Sequence, residues 1–150
     1  MDLREKLQGA VKDAMRAKEA ERLSTLRMIS SSIKDREIVA RGEGAEVGEG
    51  DILALLGKMV KQRQESAKAY AAGGRPELEA KELNEIKVIT EFLPQQLDAE
   101  QVQAAIATAV AEAGASSLKD MGKVMAVLKA KYTGQMDFGA VGALIKAQLA

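Results

Sequence analysis

The chain has 150 residues, 47% of them hydrophobic but only 3% aromatic, and its 22 basic side chains balance 22 acidic ones. Without Trp, the core has to be built from Leu, Ile, Val, Met and Ala, which suits packed helices better than a β-sandwich and points to an all-α fold class. The absence of Cys and His excludes disulfides, thiolate chemistry, histidine bases and the usual zinc sites, so no catalytic residue, metal or cofactor is expected.

The opening Met1-Asp-Leu-Arg-Glu-Lys has no apolar signal core, and no apolar run approaches the ~18–20 residues that cross a bilayer. A cytoplasmic protein without a membrane partner is therefore expected. Over residues 2–18, Leu3, Leu7, Ala10, Val11, Ala14 and Met15 recur at helical spacing with charges between them. A second helix over residues 21–41 carries Leu23, Leu26, Ile29 and Ile33 on one side, with Arg27, Lys34 and Glu37 around the rest. Residues 42–50 concentrate glycine and glutamate and read as a flexible connector. They lack the GK[ST] ending and the preceding strand of a phosphate loop.

A third helix begins near Asp51, as cap or first-turn acid, and runs through Ile52, Leu55, Leu56, Met59 and Val60 toward Tyr70. Gly73 and Gly74 stop it. Pro76 opens a fourth helix, which Leu78, Leu83, Ile86, Ile89 and Phe92 extend to Leu93, and Pro94 ends it. Glu77, Glu79, Glu82 and Glu85 on that helix are the remaining acid–base option, but Lys81 and Lys87 nearby favour solvated surface charge.

Beyond Pro94 the composition shifts toward Ala, with five acidic and five basic residues over 95–150 against 17 of each over 1–94. Residues 1–94 thus read as an N-terminal helical module of about four helices, and 95–150 as a C-terminal three-helix module. Asp98 with Gln101 forms a capping box, and that helix stops at Gly114. Ser117 with Asp120 opens the next helix, to about Tyr132; Gly134 breaks it, and Asp137 caps the last. Most methionines fall at apolar positions as core filler, with an adaptable groove as the sharper reading for Met121 and Met125.

The segment 118–132 is the most informative. Leu118, Met121, Val124, Met125, Leu128 and Tyr132 form a stripe that faces the core. Lys119, Lys123, Ala126 and Ala130 lie opposite, with Gly122 alongside, so long basic side chains flank a patch of small residues. A backbone or a phosphate–sugar surface could approach closely there. Such a face is more often plain solvated surface, and a neutral chain has little non-specific attraction for phosphate.

The stretches Arg22-Leu-Ser-Thr-Leu-Arg-Met-Ile29, Glu91-Phe-Leu-Pro-Gln-Gln-Leu97, Met121-Gly-Lys-Val-Met125 and Gly134-Gln-Met-Asp137 together resemble the GatB/YqeY domain family in its free-standing form. The likeness spans essentially the whole chain. It implies an all-α fold similar to the tail of the B subunit of the glutamine-dependent aminoacyl-tRNA amidotransferase, where the tail is a tRNA-binding appendage and the chemistry belongs to other domains. Family members often read Gly-Arg-Ala-Asp-Gly in the final turn; here it is Gly134-Gln-Met-Asp-Phe138, which removes a basic residue from the patch. The resemblance implies a non-catalytic, tRNA-binding or tRNA-associated accessory protein, with Lys119, Gly122, Lys123, Lys129, Lys131 and Gly134 as RNA-binding candidates. Its partners would be tRNA and a protein of the tRNA-dependent amidation or translation machinery. The alternatives are a protein-interaction adaptor without RNA binding and, ranked below it, a component of a carbon–nitrogen ligase that uses glutamine as amido donor.

Overall fold

The computed structural model describes residues 2–150, and within them seven α-helices and one short 3-10 turn account for the regular structure, with no strand. The chain is all-α. It divides into two compact units, Met1–Pro94 and Gln95–Ala150.

The first unit holds α1 (Leu3–Ala17), α2 (Ala20–Gly42), α3 (Glu49–Ala72) and α4 (Pro76–Thr90). Asp2 caps α1 by accepting the Glu5 N–H at 2.8 Å. Leu7, Leu26, Ile29, Ile33, Ile52, Leu56, Met59 and Ile89 meet in one core. Each large side chain removed from water there contributes about 1.5–3 kcal/mol before chain entropy is charged against it. Met15, expected as filler, is 53% exposed at the edge of α1's apolar stripe, and Leu83 on α4 is also exposed.

The connector between α2 and α3 is pinned rather than loose. Val47 is buried in the core, its carbonyl accepts from the Arg4 guanidinium at 2.8 Å, and the Glu49 carboxylate accepts the Leu3 N–H at 2.9 Å. Asp51 acts as a first-turn acid, its carboxylate receiving the Gly48 N–H at 3.0 Å. These anchors come from α1, more than 40 residues away, so glycine content alone could not reveal them.

α4 ends at Thr90, three residues before the expected stop at Leu93. The Thr90 hydroxyl donates back to the Ile86 and Lys87 carbonyls, and Glu91, Phe92 and Leu93 close tighter turns onto Val88, Ile89 and Thr90. The tighter winding places Phe92 in the core.

The second unit holds α5 (Ala99–Ala113), a 3-10 turn (Leu118–Asp120), α6 (Met121–Tyr132) and α7 (Phe138–Leu149). Its core gathers Ala105, Ile106, Ala109, Val124, Leu128, Val141 and Ile145. The capping box is complete, since Gln101 N–H donates to Asp98 at 2.8 Å and Asp98 N–H donates to the Gln101 amide at 3.0 Å. Gly114 ends α5 in the left-handed region at φ 61°, and Asp137 caps α7 through the Gly139 N–H.

Candidate functional site

α6 faces the second core with Val124 and Leu128, both fully buried, and with Met121, Met125 and Tyr132 partly buried against it. The methyl groups of Met121 and Met125 point at Gly142 of α7, where an added Cβ would stand 3.5 and 3.4 Å from them. The two methionines therefore fill space between α6 and α7. Gly142 is a residue that the sequence pattern did not single out, because its role depends on a neighbouring helix.

The helical segment starts later than the apolar spacing suggests. Leu118, Lys119 and Asp120 form the 3-10 turn, so Leu118 leaves the core-facing stripe and is 46% exposed. The start is reorganised by Asp120, whose carboxylate accepts the Ser116 N–H at 3.0 Å. That hydrogen bond is the main cause holding the Asp120 carboxyl below its ordinary pKa, with Lys123 a lesser one. Lys119 thus sits on the turn that leads into the helix and not on α6 itself.

The RNA-binding candidates separate into groups. Gly122, Lys123, Ala126, Lys129 and Ala130 are all exposed and share the outward face of α6. Open space lies over Gly122. The Lys123 side chain is 71% exposed, with its ammonium 3.8 Å from Asp120, and Lys119 and Lys129 are exposed beside it. Lys131 turns the other way. Its ammonium contacts both oxygens of Glu112 on α5 at 2.7 and 2.8 Å, which partly neutralises it.

Gly134 is committed to the fold. It adopts φ 79°, and its carbonyl accepts from the Gln96 amide at 2.5 Å. Gln135 continues the same junction, donating from its amide to the Gln95 carbonyl at 3.1 Å while its own carbonyl accepts the Leu97 N–H at 3.0 Å. Two stretches that look unrelated in sequence, Gln95-Gln-Leu97 and Gly134-Gln135, are thereby one hydrogen-bonded unit. Gln135 holds the chain entering α5.

Elsewhere, Arg4, Glu37 and Arg41 line an open depression with residues 44–47, and an Arg4–Glu37 ion pair spans 3.3 Å within it. Glu85, one of the row of acids on α4, is paired at 2.9 Å with Arg63 of α3. Among the described residues no cluster of acidic side chains is arranged to hold a metal ion, and no helix is long and apolar enough to cross a membrane.

Comparison with known proteins adds the family. Residues 4–149 match the YqeY-like protein family. Altered inheritance of mitochondria protein 41, mitochondrial, from Saccharomyces cerevisiae is 33% identical over 89 residues, covering 59% of this chain and 47% of the yeast protein. The proteins of the same name from Clavispora lusitaniae and Vanderwaltozyma polyspora are 40% identical over 93 residues and 31% over 99, covering 60% and 61% of this chain and 52% of each relative. The chain spans about half the length of the curated relatives it matches. With the match running almost from end to end of an all-α chain, the protein belongs to the YqeY-like family, also called the GatB/YqeY domain family.

Proposed function

We propose that the protein is a non-catalytic accessory factor that associates with tRNA through the outward face of α6 and the 3-10 turn before it. The observation that supports this reading is the exposed floor of Gly122, Ala126 and Ala130 bordered by Lys123 and Lys129, with Lys119 at its entrance. Lysines on the rim neutralise phosphates, while the small residues let a sugar–phosphate surface approach the helix backbone. Recognition is by shape, because aromatic side chains make up 3% of the chain and supply no stacking platform for unpaired bases. Lys131 contributes least, being held by Glu112.

Without a histidine, a cysteine or a phosphate loop, the protein depends on another enzyme for any amidation. ATP, glutamine and misacylated tRNA supplied to it alone yield no amidated product in this reading. Cytoplasmic residence is part of the proposal, although the named relatives carry a mitochondrial name; cell fractionation reads it directly.

The test is tRNA affinity across a salt series for the parent and for Lys119→Glu combined with Lys123→Glu, with circular dichroism as the control for folding. Each neutralised phosphate contributes a slope of about 0.7–0.9 in log affinity against log salt, so losing two lowers the slope by roughly 1.4–1.8. Equal affinities and slopes for the two proteins would place the contact elsewhere, and a parent that binds no tRNA at low salt would end the tRNA reading.

A further inference from the structure

α2 buries Leu26, Ile29, Ile33 and Ala40 in the first core and turns its opposite side to solvent. Along that outer side stand Arg27, Lys34 and Arg41, all exposed and each seven residues from the next. Seven residues are about 10 Å of helix axis with only about 20° of rotation, so the three cations form nearly one line. Arg4, Arg22 and Arg63 each have a carboxylate partner, whereas none of these three makes an ion pair among the described residues. One turn to either side, Arg27 meets only Leu23 and serines. The carboxylate one turn from both Lys34 and Arg41 is Glu37, and Arg4 already holds it at 3.3 Å.

Between Lys34 and Arg41 lies Ile38, 65% exposed, with Val39 beside it at 56%. A large apolar side chain in the middle of a cationic row gains nothing from a phosphate backbone but gains from burial against another apolar side chain. The seven-residue interval is also the interval at which a second helix repeats one face toward its neighbour. We propose that the outer face of α2 docks an acidic amphipathic helix of a partner protein. Carboxylates at heptad spacing pair with Arg27, Lys34 and Arg41, and an apolar side chain covers Ile38. This surface belongs to the first unit, whereas the α6 face belongs to the second.

The probe is a labelled synthetic peptide of three heptads, with Glu at one position of each heptad and Leu at a neighbouring one, set against a shuffled peptide of the same composition. Anisotropy titrations use the full chain. Saturable binding of the heptad peptide is expected, weakened at least about tenfold by Arg27→Glu, Lys34→Glu and Arg41→Glu together. Ile38→Ser should weaken it several-fold while leaving its salt dependence unchanged. If the reversed protein loses its helical signal, Arg27→Gln, Lys34→Gln and Arg41→Gln together take its place and must show the same direction. Equal binding of both peptides, or binding indifferent to these substitutions, overturns the proposal. So does loss of tRNA affinity on charge reversal in a protein that never bound the heptad peptide, since the row would then serve nucleic acid.

Discussion

Lys18 closes α1 in the left-handed region, at φ 57° and ψ 38°, where a Cβ crowds the following carbonyl. Gly9 does the reverse, placing a flexible residue inside α1 with open space where a side chain would stand. Lys18→Gly and Gly9→Ala should therefore each raise stability by about 0.5–1 kcal/mol in urea unfolding. A loss from either would show that the local backbone is set by something other than these preferences. Gly142 obeys a different constraint. Alanine there meets the Met125 and Met121 methyls at ordinary contact distance and should change stability by less than about 1 kcal/mol, whereas Gly142→Val should cost about 1–3 kcal/mol by overpacking. Asp120 supplies a pH signature. Its carboxyl is depressed chiefly by the Ser116 N–H, so its stabilising effect is fully present above the unfolded carboxylate pKa near ~3.9 and is lost as pH falls through the lower folded value. A carboxyl titration followed by NMR should give a midpoint below that reference, and Asp120→Asn should remove this part of the acid dependence.

Between elements, α3 and α4 are linked by the Arg63–Glu85 pair, whose side chains are only 13% and 17% exposed. Arg63 also donates to the Met59 carbonyl, so removing Glu85 leaves a largely desolvated guanidinium without its countercharge. Glu85→Ala should cost about 2–3 kcal/mol, while Glu82→Ala on the same helix should cost less than about 0.5, and the contrast in unfolding midpoints checks it. The segment 91–97 is held at both ends. Arg22 grips the Glu91 carboxylate at 2.5 and 2.9 Å, and Lys6 reaches the Glu91 carbonyl at 2.8 Å while lying 5.3 Å from the centre of the Phe92 ring. Gln95, Gln96 and Leu97 are tied to Gly134 and Gln135 in the second unit. The Leu97 amide should exchange slowly with solvent although it lies outside any helix, and Gln96→Ala should speed that exchange and cost about 1 kcal/mol.

At the scale of the molecule, the two cores share no member: one is centred on Leu26, Ile29, Ile52 and Leu56, the other on Ile106, Val124, Leu128 and Ile145. Leu26→Ala and Ile106→Ala should each cost about 2–5 kcal/mol, but to different units. Hydrogen exchange should register the first as lost protection in α2 and α3, with the amides of α6 unchanged, and the second as the converse. Uniform loss of protection from either substitution would show the chain unfolding as one cooperative body.

The sequence by itself determined the helices, because spacing, caps and breakers act within a few residues. Asp98 with Gln101, Gly114, Asp137 and the Gly73–Gly74 pair all do in the structure what their positions imply. The apolar stripes of α2 and α6 were legible for the same reason, and so was the exposure of Lys123 and Lys129. Tertiary structure decided what each exposed or polar group is spent on. The 3-10 turn that removes Lys119 from α6 depends on Asp120 bonding back to Ser116, a choice between two local hydrogen-bonding schemes that periodicity does not distinguish. Lys131 is claimed by Glu112, Glu85 by Arg63, and Gly134 with Gln135 by an irregular segment about 40 residues earlier. Those partners are distant in sequence, and only packing brings the opposite charges and the complementary donors and acceptors within reach.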